Sequence, residues 1–311
     1  MLRPGAVPAG SRIAVVAPAS SARLERVEQG LAALRTLGYD PALGADALGK
    51  SPQYFSGTAE ERLNDLHTAF SDPEIKAIIC TRGGYGSNYL LEGLDLDLIR
   101  GNPKPLLAYS DMTAVQTWLL EQTGLVSFHG PMAAADFFKP DGVDLFSFQS
   151  ALAGQTYSVG SPEGLRILRA GEAGGILRGG CLSILVASLG TPYAAHLQGG
   201  LLFLEDVGAK PYQVDRMLRQ LILAGKLEGV TGIIFGEMLD CVSPGAGDRL
   251  LESVILRVLE KFEGPIAIGL RSGHVSHHNV TLCFGIEAGL DLPGDSTDQP
   301  RLEFLEPAVS V

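Results

Sequence analysis

The sequence predicts an α/β fold, a mainly parallel sheet with helices on both of its faces, and three features of the chain support this. Short runs of β-branched and other apolar residues alternate with segments whose apolar residues recur at helical spacing. Glycine or proline ends most of these segments. Hydrophobic residues make up 46% of the chain and charged residues 19%, a balance typical of a packed globular protein. Strands and helices alternate in parallel sheets because every strand starts at the same end of the sheet, so the chain needs a crossover, usually a helix, between one strand and the next.

The alternation is regular through the first half of the chain. The segment RIAVVAP predicts a strand that ends at a proline, and the segment ARLERVEQGLAALRTLG predicts a helix closed by Gly38. The apolar face of this helix consists of Leu24, Val27, Leu31 and Leu34. We then predict, in order, helix TAEERLNDLHTAFSD, strand IKAIICT, helix GSNYLLEGL, strand KPLLAYS, helix MTAVQTWLLEQTG and strand LVSFHGP.

The alternation stops in the middle of the chain and then resumes. From about Phe137 to Arg178 the sequence is rich in turn residues and predicts only weak short strands. Since 311 residues exceed the usual size of one domain, we place a boundary here, with one domain over residues 1–150 and a second α/β domain over residues 151–311. The second half contains GILRGGCLSILVASLG, GGLLFLEDVG, PYQVDRMLRQLILAGKL, VTGIIFGEM, DRLLESVILRVLEKFEG, PIAIGL and NVTLCFGIEAGLDL.

Charge and composition exclude several classes of protein. The chain has 24 Lys and Arg against 35 Asp and Glu, a formal net charge of −11, and no basic block, which argues against a nucleic-acid partner. No apolar run approaches the ~18 residues of a membrane span, and the N-terminus has only the short run IAVVA, so we expect a cytoplasmic protein with no membrane partner. The cysteines are far apart in apolar stretches and predict buried free thiols: Cys80, Cys181, Cys241 and Cys283.

Ser110 lies where the strand KPLLAYS meets the helix MTAVQTWLLEQTG. A serine at this junction either caps the helix or is a nucleophile held at the carboxyl end of the sheet, where open α/β sheets bind ligands. In the second case the junction is a nucleophile elbow, and the N–H of Asp111 faces a developing oxyanion. The segment AYSDM lacks the glycines of a G-x-S-x-G elbow, so the motif does not decide between the two interpretations.

A glycine-rich loop, CTRGGYGSN, follows the strand IKAIICT at residues 80–88. Tyr89 stands where a G-x-G-x-x-G fingerprint has its third glycine, and no Walker lysine follows, which argues against a nucleotide. We predict no cofactor. Adjacent glycines permit positive φ and a close approach of the backbone, so the loop is either a plain turn or donates the Gly84 N–H to a reacting carbonyl.

Glu205 and a histidine-rich loop supply the remaining candidates. Glu205 ends the strand LLFLE and either caps the next helix or orients a histidine. The segment RSGHVSHHN places His274, His277 and His278 after the strand PIAIGL. Zinc binding is disfavoured, because the helical H-E-x-x-H pattern is missing and no cysteine or acidic residue lies at ligand spacing, so we predict no metal site. His274 lies nearest the strand end and is the best candidate for a general base.

Taken together, these segments resemble the LD-carboxypeptidases of peptidase family S66, the muramoyltetrapeptide carboxypeptidases and their microcin-immunity relatives. The matching stretches are VVAPAS, RGGYGS, YSDMTAVQ with GPM downstream, GGCLSIL, LGTPY, LLFLEDVGAKPYQVDRMLRQL and GLRSGHVSHHNVTLCFG. They occur in order over nearly the whole chain. Two positions depart from the family pattern: Ala108 stands where glycine is common, and Cys181 where asparagine is common.

The resemblance implies a serine peptidase with a Ser-His-Glu triad. The nucleophile falls on Ser110, the base on His274 and the orienting carboxylate on Glu205, with the backbone N–H groups of Gly84 and Asp111 as oxyanion donors. The resemblance also implies a homodimer, with a flavodoxin-like N-terminal domain, a C-terminal domain of different β/α topology, and a triad that straddles the cleft.

The implied reaction is hydrolysis of the amide bond to the terminal D-alanine of the cytoplasmic murein tetrapeptide, a step of peptidoglycan recycling. The free terminal carboxylate of this small peptide needs a cation; we favour Arg82, beside the glycine-rich loop, over Arg271, near the histidine loop. Two alternatives stay open. One is a microcin-immunity peptidase that cleaves aminoacyl-nucleotide conjugates with the same triad, and the other is a flavodoxin-like small-molecule-binding protein without catalysis.

Overall fold

The structure, a computed structural model, describes residues 1–49, 54–242, 249–294 and 298–310. Its strands are β1 Arg12–Val16, β2 Asp40–Leu43, β3 Ile75–Cys80, β4 Leu106–Ala108, β5 Ser127–His129, β6 Ser158–Gly160, β7 Arg166–Arg169, β8 Gly171–Ile176, β9 Arg178–Cys181, β10 Leu201–Glu205, β11 Gly232–Gly236, β12 Ile266–Leu270, β13 Leu282–Phe284, β14 Glu287–Leu292 and β15 Arg301–Phe304. Its α-helices are α1 Leu24–Thr36, α2 Ala59–Ser71, α3 Leu96–Gly101, α4 Thr113–Thr123, α5 Leu145–Ala153, α6 Leu182–Ala187, α7 Pro211–Leu223 and α8 Arg249–Val258. A 3₁₀ helix spans Ser87–Gly93 and a π-helical segment spans Ala133–Phe137.

The first half of the chain supplies five strands of a six-stranded sheet, and the second half supplies the sixth, β13; the order is β13-β5-β4-β3-β1-β2. Strands β1 to β5 are parallel and follow the order 2-1-3-4-5 of flavodoxin-like folds, whereas β13 is antiparallel to β5. Four of five residues in β1 and five of six in β3 are buried, as expected where helices cover both faces. The prediction of a flavodoxin-like N-terminal half is confirmed.

The second half of the chain forms two sheets, of which one is mainly parallel. Its order is β7-β12-β11-β10-β9, and only the edge strand β7 is antiparallel. Every residue of β10 and β11 is buried, and α7 buries Val214, Leu218 and Leu221. This sheet confirms the prediction of a second α/β unit.

The third sheet, in the order β6-β15-β14-β8, is antiparallel throughout and is not predicted by the sequence patterns. Its strand β8 reads GEAGGI and is at most half-buried, so it lacks the apolar runs that mark buried strands. The turn-rich stretch between Phe137 and Arg178 therefore holds a helix, α5, and three strands, and is more regular than predicted.

Two other segments also differ from their predictions. GSNYLLEGL forms a 3₁₀ helix instead of an α-helix, preceded by Gly86 at a φ of 123°. NVTLCFGIEAGLDL divides into β13 and β14, which belong to different sheets. The chain turns between them at Gly285, where φ is 92° and a Cβ would lie 2.6 Å from a methyl group of Leu120. Only glycine combines this backbone angle with so close an approach to Leu120, so β13 ends here.

Strand β13 matters for the site because it returns the second half of the chain to the edge of the first sheet. The preceding strand in the chain, β12, lies in the second sheet, so residues 271–281 cross from one sheet to the other. The cysteines are all buried and free, as predicted. Among the helices in the described ranges, none has both the length and the apolar character needed to cross a bilayer.

Gly30→Ala should lower stability. Gly30 is buried on α1, and a Cβ there would lie 2.2 Å from the carbonyl oxygen of Ala133 in the π-helical segment. Overpacking of this kind costs about 1–3 kcal/mol, more than the ~1 kcal/mol that alanine gains over glycine in a helix. The thermal midpoint of unfolding should therefore fall by a few degrees. Gly101→Ala is the matched control, since no heavy atom lies within 4 Å of its Cβ position; an equal midpoint for both variants would contradict the close contact.

Candidate active site

Ser110 lies between β4 and α4 in a backbone conformation that residues other than glycine rarely adopt. Its φ is 65°, whereas Tyr109 before it is extended. Helix α4 begins at Thr113 with Met112 at its N-cap position, so Ser110 does not cap this helix. A sharp turn from a strand into a helix, with positive φ at the serine, is the geometry of a nucleophile elbow at the carboxyl end of a sheet.

The glycine-rich loop after β3 packs directly against this elbow. A Cβ added to Gly83 would lie 2.8 Å from Cβ and 3.0 Å from Oγ of Ser110, so glycine is needed for this approach. Gly84 has a φ of 109°, which also favours glycine. Within the described residues, the backbone N–H groups of Gly84 and Asp111 donate to no protein acceptor. Two such donors therefore lie in the elbow and in the loop that packs against it, and Gly84 lines the same cavity as Ser110.

The side chain of Asp111 joins the elbow to the glycine-rich loop. Its buried carboxylate accepts the N–H of Ser87 at 2.7 Å, and the Ser87 hydroxyl donates to the Asp111 carbonyl at 2.7 Å. Burial raises the pKa of Asp111, although these hydrogen bonds and the Arg62 guanidinium oppose the rise. Arg62 is buried too and donates to two backbone carbonyls of neighbouring loops at 2.6 and 2.8 Å. The elbow and the glycine-rich loop thus hold each other in place.

Glu205 and His274 form the second part of the site. Glu205 is the last residue of β10 and has no exposed surface. Its Oε2 accepts from the ring Nδ1 of His274 at 2.7 Å and from the backbone N–H of His274 at 3.0 Å. Because Nδ1 faces a carboxylate, it carries the proton, and Nε2 of the neutral ring is left as an acceptor. A general base requires this arrangement.

Each of these two groups stabilises the charged form of the other. Burial by itself raises the pKa of Glu205, but His274 and His129 outweigh burial and lower the pKa to about 2. Burial by itself lowers the pKa of His274, but Glu205, helped by Asp206 and Asp136, raises the pKa overall. The environment therefore favours an ionised carboxylate beside an imidazole that protonates readily.

The loop that carries His274 is fixed by its neighbours. The Asn279 side chain accepts the N–H of Gly273 at 3.0 Å and donates to the Gly273 carbonyl at 3.0 Å. Gly273 has a φ of 91°, and a Cβ there would lie 2.7 Å from Cδ of Glu205. The loop closes over the carboxylate because this position is glycine.

Ser110 and His274 line one cavity of about 440 Å³. The serine, the imidazole and the glycine-rich loop therefore open onto the same space, and Glu205 lies behind the imidazole. No acidic residue is among the described residues that line this cavity. The chain as a whole has a net charge of −11, so a cavity lined, among the described residues, by cationic and no acidic side chains is a local exception that suits an anionic ligand. Its cationic side chains are Arg23, Arg26, Arg82 and Lys139.

Arg271 is not brought to this cavity. It lines a separate cavity of about 550 Å³ and donates to the carbonyl of Pro162. That cavity is larger but carries both signs of charge, including Glu237 and Glu252. Of the two arginines that the sequence suggests, Arg82 is the one beside Ser110.

The other histidines of the loop do not gather around a metal position. His277 and His278 pack ring against ring at 5.0 Å, and the His277 Nδ1 lies 2.9 Å from the Ser276 hydroxyl. Over the described ranges, no group of three or more His, Cys, Asp or Glu has a metal-binding arrangement.

Sequence reasoning did not single out several residues that shape the site. Gly83 is indistinguishable from any loop glycine until its approach to Ser110 is known. Arg26 and Lys139 carry no motif and reach the cavity only through the packing of α1 against the π-helical segment. Asn279 directly follows the paired histidines in the sequence, and this position was the one available signal, since its burial is known only from the structure.

Comparison with known proteins gives consistent matches. Residues 13–130 match the profile of the LD-carboxypeptidase N-terminal domain, and residues 174–290 match that of the LD-carboxypeptidase C-terminal domain. A probable murein peptide carboxypeptidase of Bacillus subtilis is 37% identical over 296 residues, which cover 93% of this chain and 91% of that protein. A muramoyltetrapeptide carboxypeptidase from Oxalobacter formigenes superposes with a TM-score of 0.84 at 28% identity, over 96% of this chain and 99% of that one. MccF in complex with glutamyl sulfamoyl guanosine superposes with a TM-score of 0.91 at 26% identity, over 100% of both chains.

Glu205→Gln should change how stability depends on pH. The pKa of Glu205 falls from 4.5 to about 2 on folding, so its contribution is present above pH 4.5 and is lost as the pH falls toward 2. The pKa of His274 is raised above 6.5, so its contribution is present below pH 6.5 and is lost as the pH rises through the folded value. Without the carboxylate, burial disfavours the imidazolium. The stability advantage of the wild type, measured by urea unfolding, should therefore be largest between about pH 4.5 and 6.5. A constant difference from pH 3 to 9 would refute the coupling of the two groups.

Proposed function

Because the chain belongs to the LD-carboxypeptidase family, we propose that it is a serine carboxypeptidase that hydrolyses the amide bond to the terminal D-alanine of a murein tetrapeptide. The observation that carries the proposal is that Ser110, in its elbow, and His274, paired with Glu205, open onto one cation-lined cavity. A hydroxyl is barely ionised at neutral pH and needs such a base before it can attack a carbonyl.

In the proposed reaction, Nε2 of His274 takes the Ser110 proton as Oγ attacks the amide carbonyl, and Glu205 stabilises the imidazolium. The N–H groups of Gly84 and Asp111 donate to the oxyanion of the tetrahedral intermediate. The imidazolium then gives its proton to the departing amine of D-alanine, and an acyl-enzyme remains on Ser110. Water, deprotonated by the same imidazole, hydrolyses this ester and restores the serine.

Arg82 is the proposed partner of the free carboxylate of D-alanine, since it lines the cavity next to the glycine-rich loop. Arg271 takes second place because it lines the other cavity. The remaining cations of the wall, Arg23, Arg26 and Lys139, add a positive field suited to a peptide with more than one carboxylate.

The match to MccF with a bound aminoacyl sulfamoyl nucleoside supports a second candidate, cleavage of an aminoacyl-nucleotide conjugate by the same triad. The two candidates share their chemistry and differ in the leaving group, so parallel assays with both substrates separate them.

We also propose that the protein is a homodimer in the cytoplasm, where the murein tetrapeptide of recycling is found, and that its domains divide near residue 150. The sheets support this division. All predicted N-terminal strands end by residue 129 and lie in the first sheet, whereas the strands from residue 158 onward lie in the other two, β13 excepted.

Replacement of any triad member should abolish most turnover. Ser110→Ala and His274→Ala should each lower kcat by roughly 10⁴–10⁶-fold, and the double variant should be no worse, because the residues act as one unit. The assay follows conversion of tetrapeptide to tripeptide and D-alanine by mass spectrometry. His277→Ala is the matched control, since His277 lies on the same loop but lines the other cavity. Turnover that survives Ser110→Ala would leave a binding protein or a different nucleophile as the explanation.

Arg82→Met should raise KM for the tetrapeptide by roughly 10- to 100-fold, the cost of losing a hydrogen bond to a charged group. It should have little effect on a substrate whose D-alanine ends in an amide. Arg271→Met tests the second choice, and Arg35→Met, on the exposed end of α1, is the surface control. A larger effect of Arg271→Met would assign the carboxylate to that residue instead.

A further inference from the structure

A second histidine, His129, lies behind the Glu205 carboxylate and has no part in the proposed reaction as described so far. It ends β5, is completely buried, and its Nε2 lies 3.9 Å from Oε1 of Glu205. His274 uses the other carboxylate oxygen, Oε2. Within the described residues, neither Nε2 of His129 nor Oε1 of Glu205 has a hydrogen-bond partner, and neither atom is exposed to solvent.

The contacts of His129 favour one of its two neutral tautomers. Its Nδ1 lies 3.0 Å from the Ser272 hydroxyl, which has a second acceptor, the His129 carbonyl, at the longer distance of 3.5 Å. If Ser272 donates to Nδ1, the ring proton is on Nε2 and points toward Oε1. The other tautomer would leave two buried acceptors facing each other, which is costly. The first tautomer pairs a buried donor with a buried acceptor.

The His129 ring is held in this orientation by aromatic neighbours. Phe203 and Phe284 each lie 5.2 Å from its centroid, and Tyr109 lies at 5.9 Å. A distance of 3.9 Å is longer than a hydrogen bond, so the carboxylate and the ring must approach by about 1 Å to form one.

We propose that His129 is a positioning residue for the reaction: its Nε2–H donates to Oε1 of Glu205 and holds the carboxylate in the plane that His274 needs. The proposal rests on the proposed function. His129 also contacts Ser272, two residues before His274, so one imidazole restrains both the carboxylate and the start of the catalytic loop. A second donor on Glu205 shares the carboxylate charge between two partners, which limits how strongly it attracts a proton to His274.

The test compares His129→Leu, which removes the donor and keeps an apolar side chain, with His129→Gln, whose amide places a donor near the position of Nε2. His129→Leu should lower kcat by roughly 10- to 100-fold with KM within a factor of two, because the substrate does not contact it. In the pH profile of kcat/KM, the acid limb reports the deprotonation of His274. Without the His129 donor, the carboxylate should attract a proton to His274 more strongly, so this limb should move to higher pH by roughly half a unit to one unit. His129→Gln should recover most of kcat and restore the limb.

The remaining titratable groups around His274, namely Asp206, Asp136 and Tyr109, are the same in both variants, so they do not account for a difference between Leu and Gln. Ser272→Ala, which removes the hydroxyl that fixes the tautomer, should shift the limb in the same direction by less. If His129→Leu does not fold, the Ser272→Ala variant replaces it in the test. His196→Leu, at an exposed histidine, is the control for histidine loss.

A titration of the His274 ring by NMR separates this proposal from the proposed function, since it needs no turnover. If the wild type fails to release D-alanine, the proposed function fails, while the NMR shift between His129→Leu and His129→Gln still reports on His129. An unmoved titration in His129→Leu, or equal impairment of the Leu and Gln variants, would overturn the positioning role.

Discussion

The site depends on one buried negative charge, that of Glu205. A carboxylate without access to water is tolerated only when donors and an opposite charge surround it. His274 supplies a backbone donor and a ring donor, and Gly273 lets the loop close over the carboxylate. The contacts that make the burial tolerable also orient the imidazole and determine which of its nitrogens carries the proton. In the proposed reaction, folding stability and reactivity therefore rest on the same hydrogen bonds, and a change to either partner should alter both.

The path of the chain explains how a serine of the first sheet and a histidine from the second half come to line one cavity. Because β12 and β13 belong to different sheets, residues 271–281 must cross between them. The crossing segment is fixed at both ends, by the clamp of Asn279 on Gly273 and by the Thr281 N–H, which donates to the Ser147 hydroxyl at 3.0 Å. A further bond joins the start of α4 to the end of β9, where the Cys181 N–H donates to the Thr113 hydroxyl at 3.0 Å. This bond uses the backbone, so it does not depend on whether position 181 carries cysteine or asparagine.

Local patterns predicted the parts of the fold that local physics determines. Parallel strands with helices on both faces are apolar runs, and the places where Ser110 and Glu205 follow such runs could be read directly from the sequence. The antiparallel third sheet could not, because its strands are short or half-exposed and have no such run; β8, for example, reads GEAGGI. The role proposed for His129 could not be predicted either, because its relation to Glu205 exists only after β5 and β10 have been brought together. Both features depend on contacts between segments that are distant in the sequence, and residue types alone do not reveal such contacts.

Ser110 keeps a positive φ although Ala108 and Met112 occupy the two positions where a G-x-S-x-G elbow has glycine. The left-handed conformation costs a residue other than glycine roughly 1–2 kcal/mol, so it persists only where nearby contacts outweigh that cost. On one side Ala108 is completely buried in β4, and on the other Asp111 is held by hydrogen bonds to the glycine-rich loop. The close approach that elbow glycines usually permit is made here from outside the elbow, by Gly83, where a Cβ would lie 2.8 Å from Cβ of Ser110. In this chain, glycine is therefore required in the loop that packs on the elbow and not in the elbow itself. For this reason the elbow is recognised by the backbone angle of Ser110 and by the contact with Gly83, and not by a G-x-S-x-G motif.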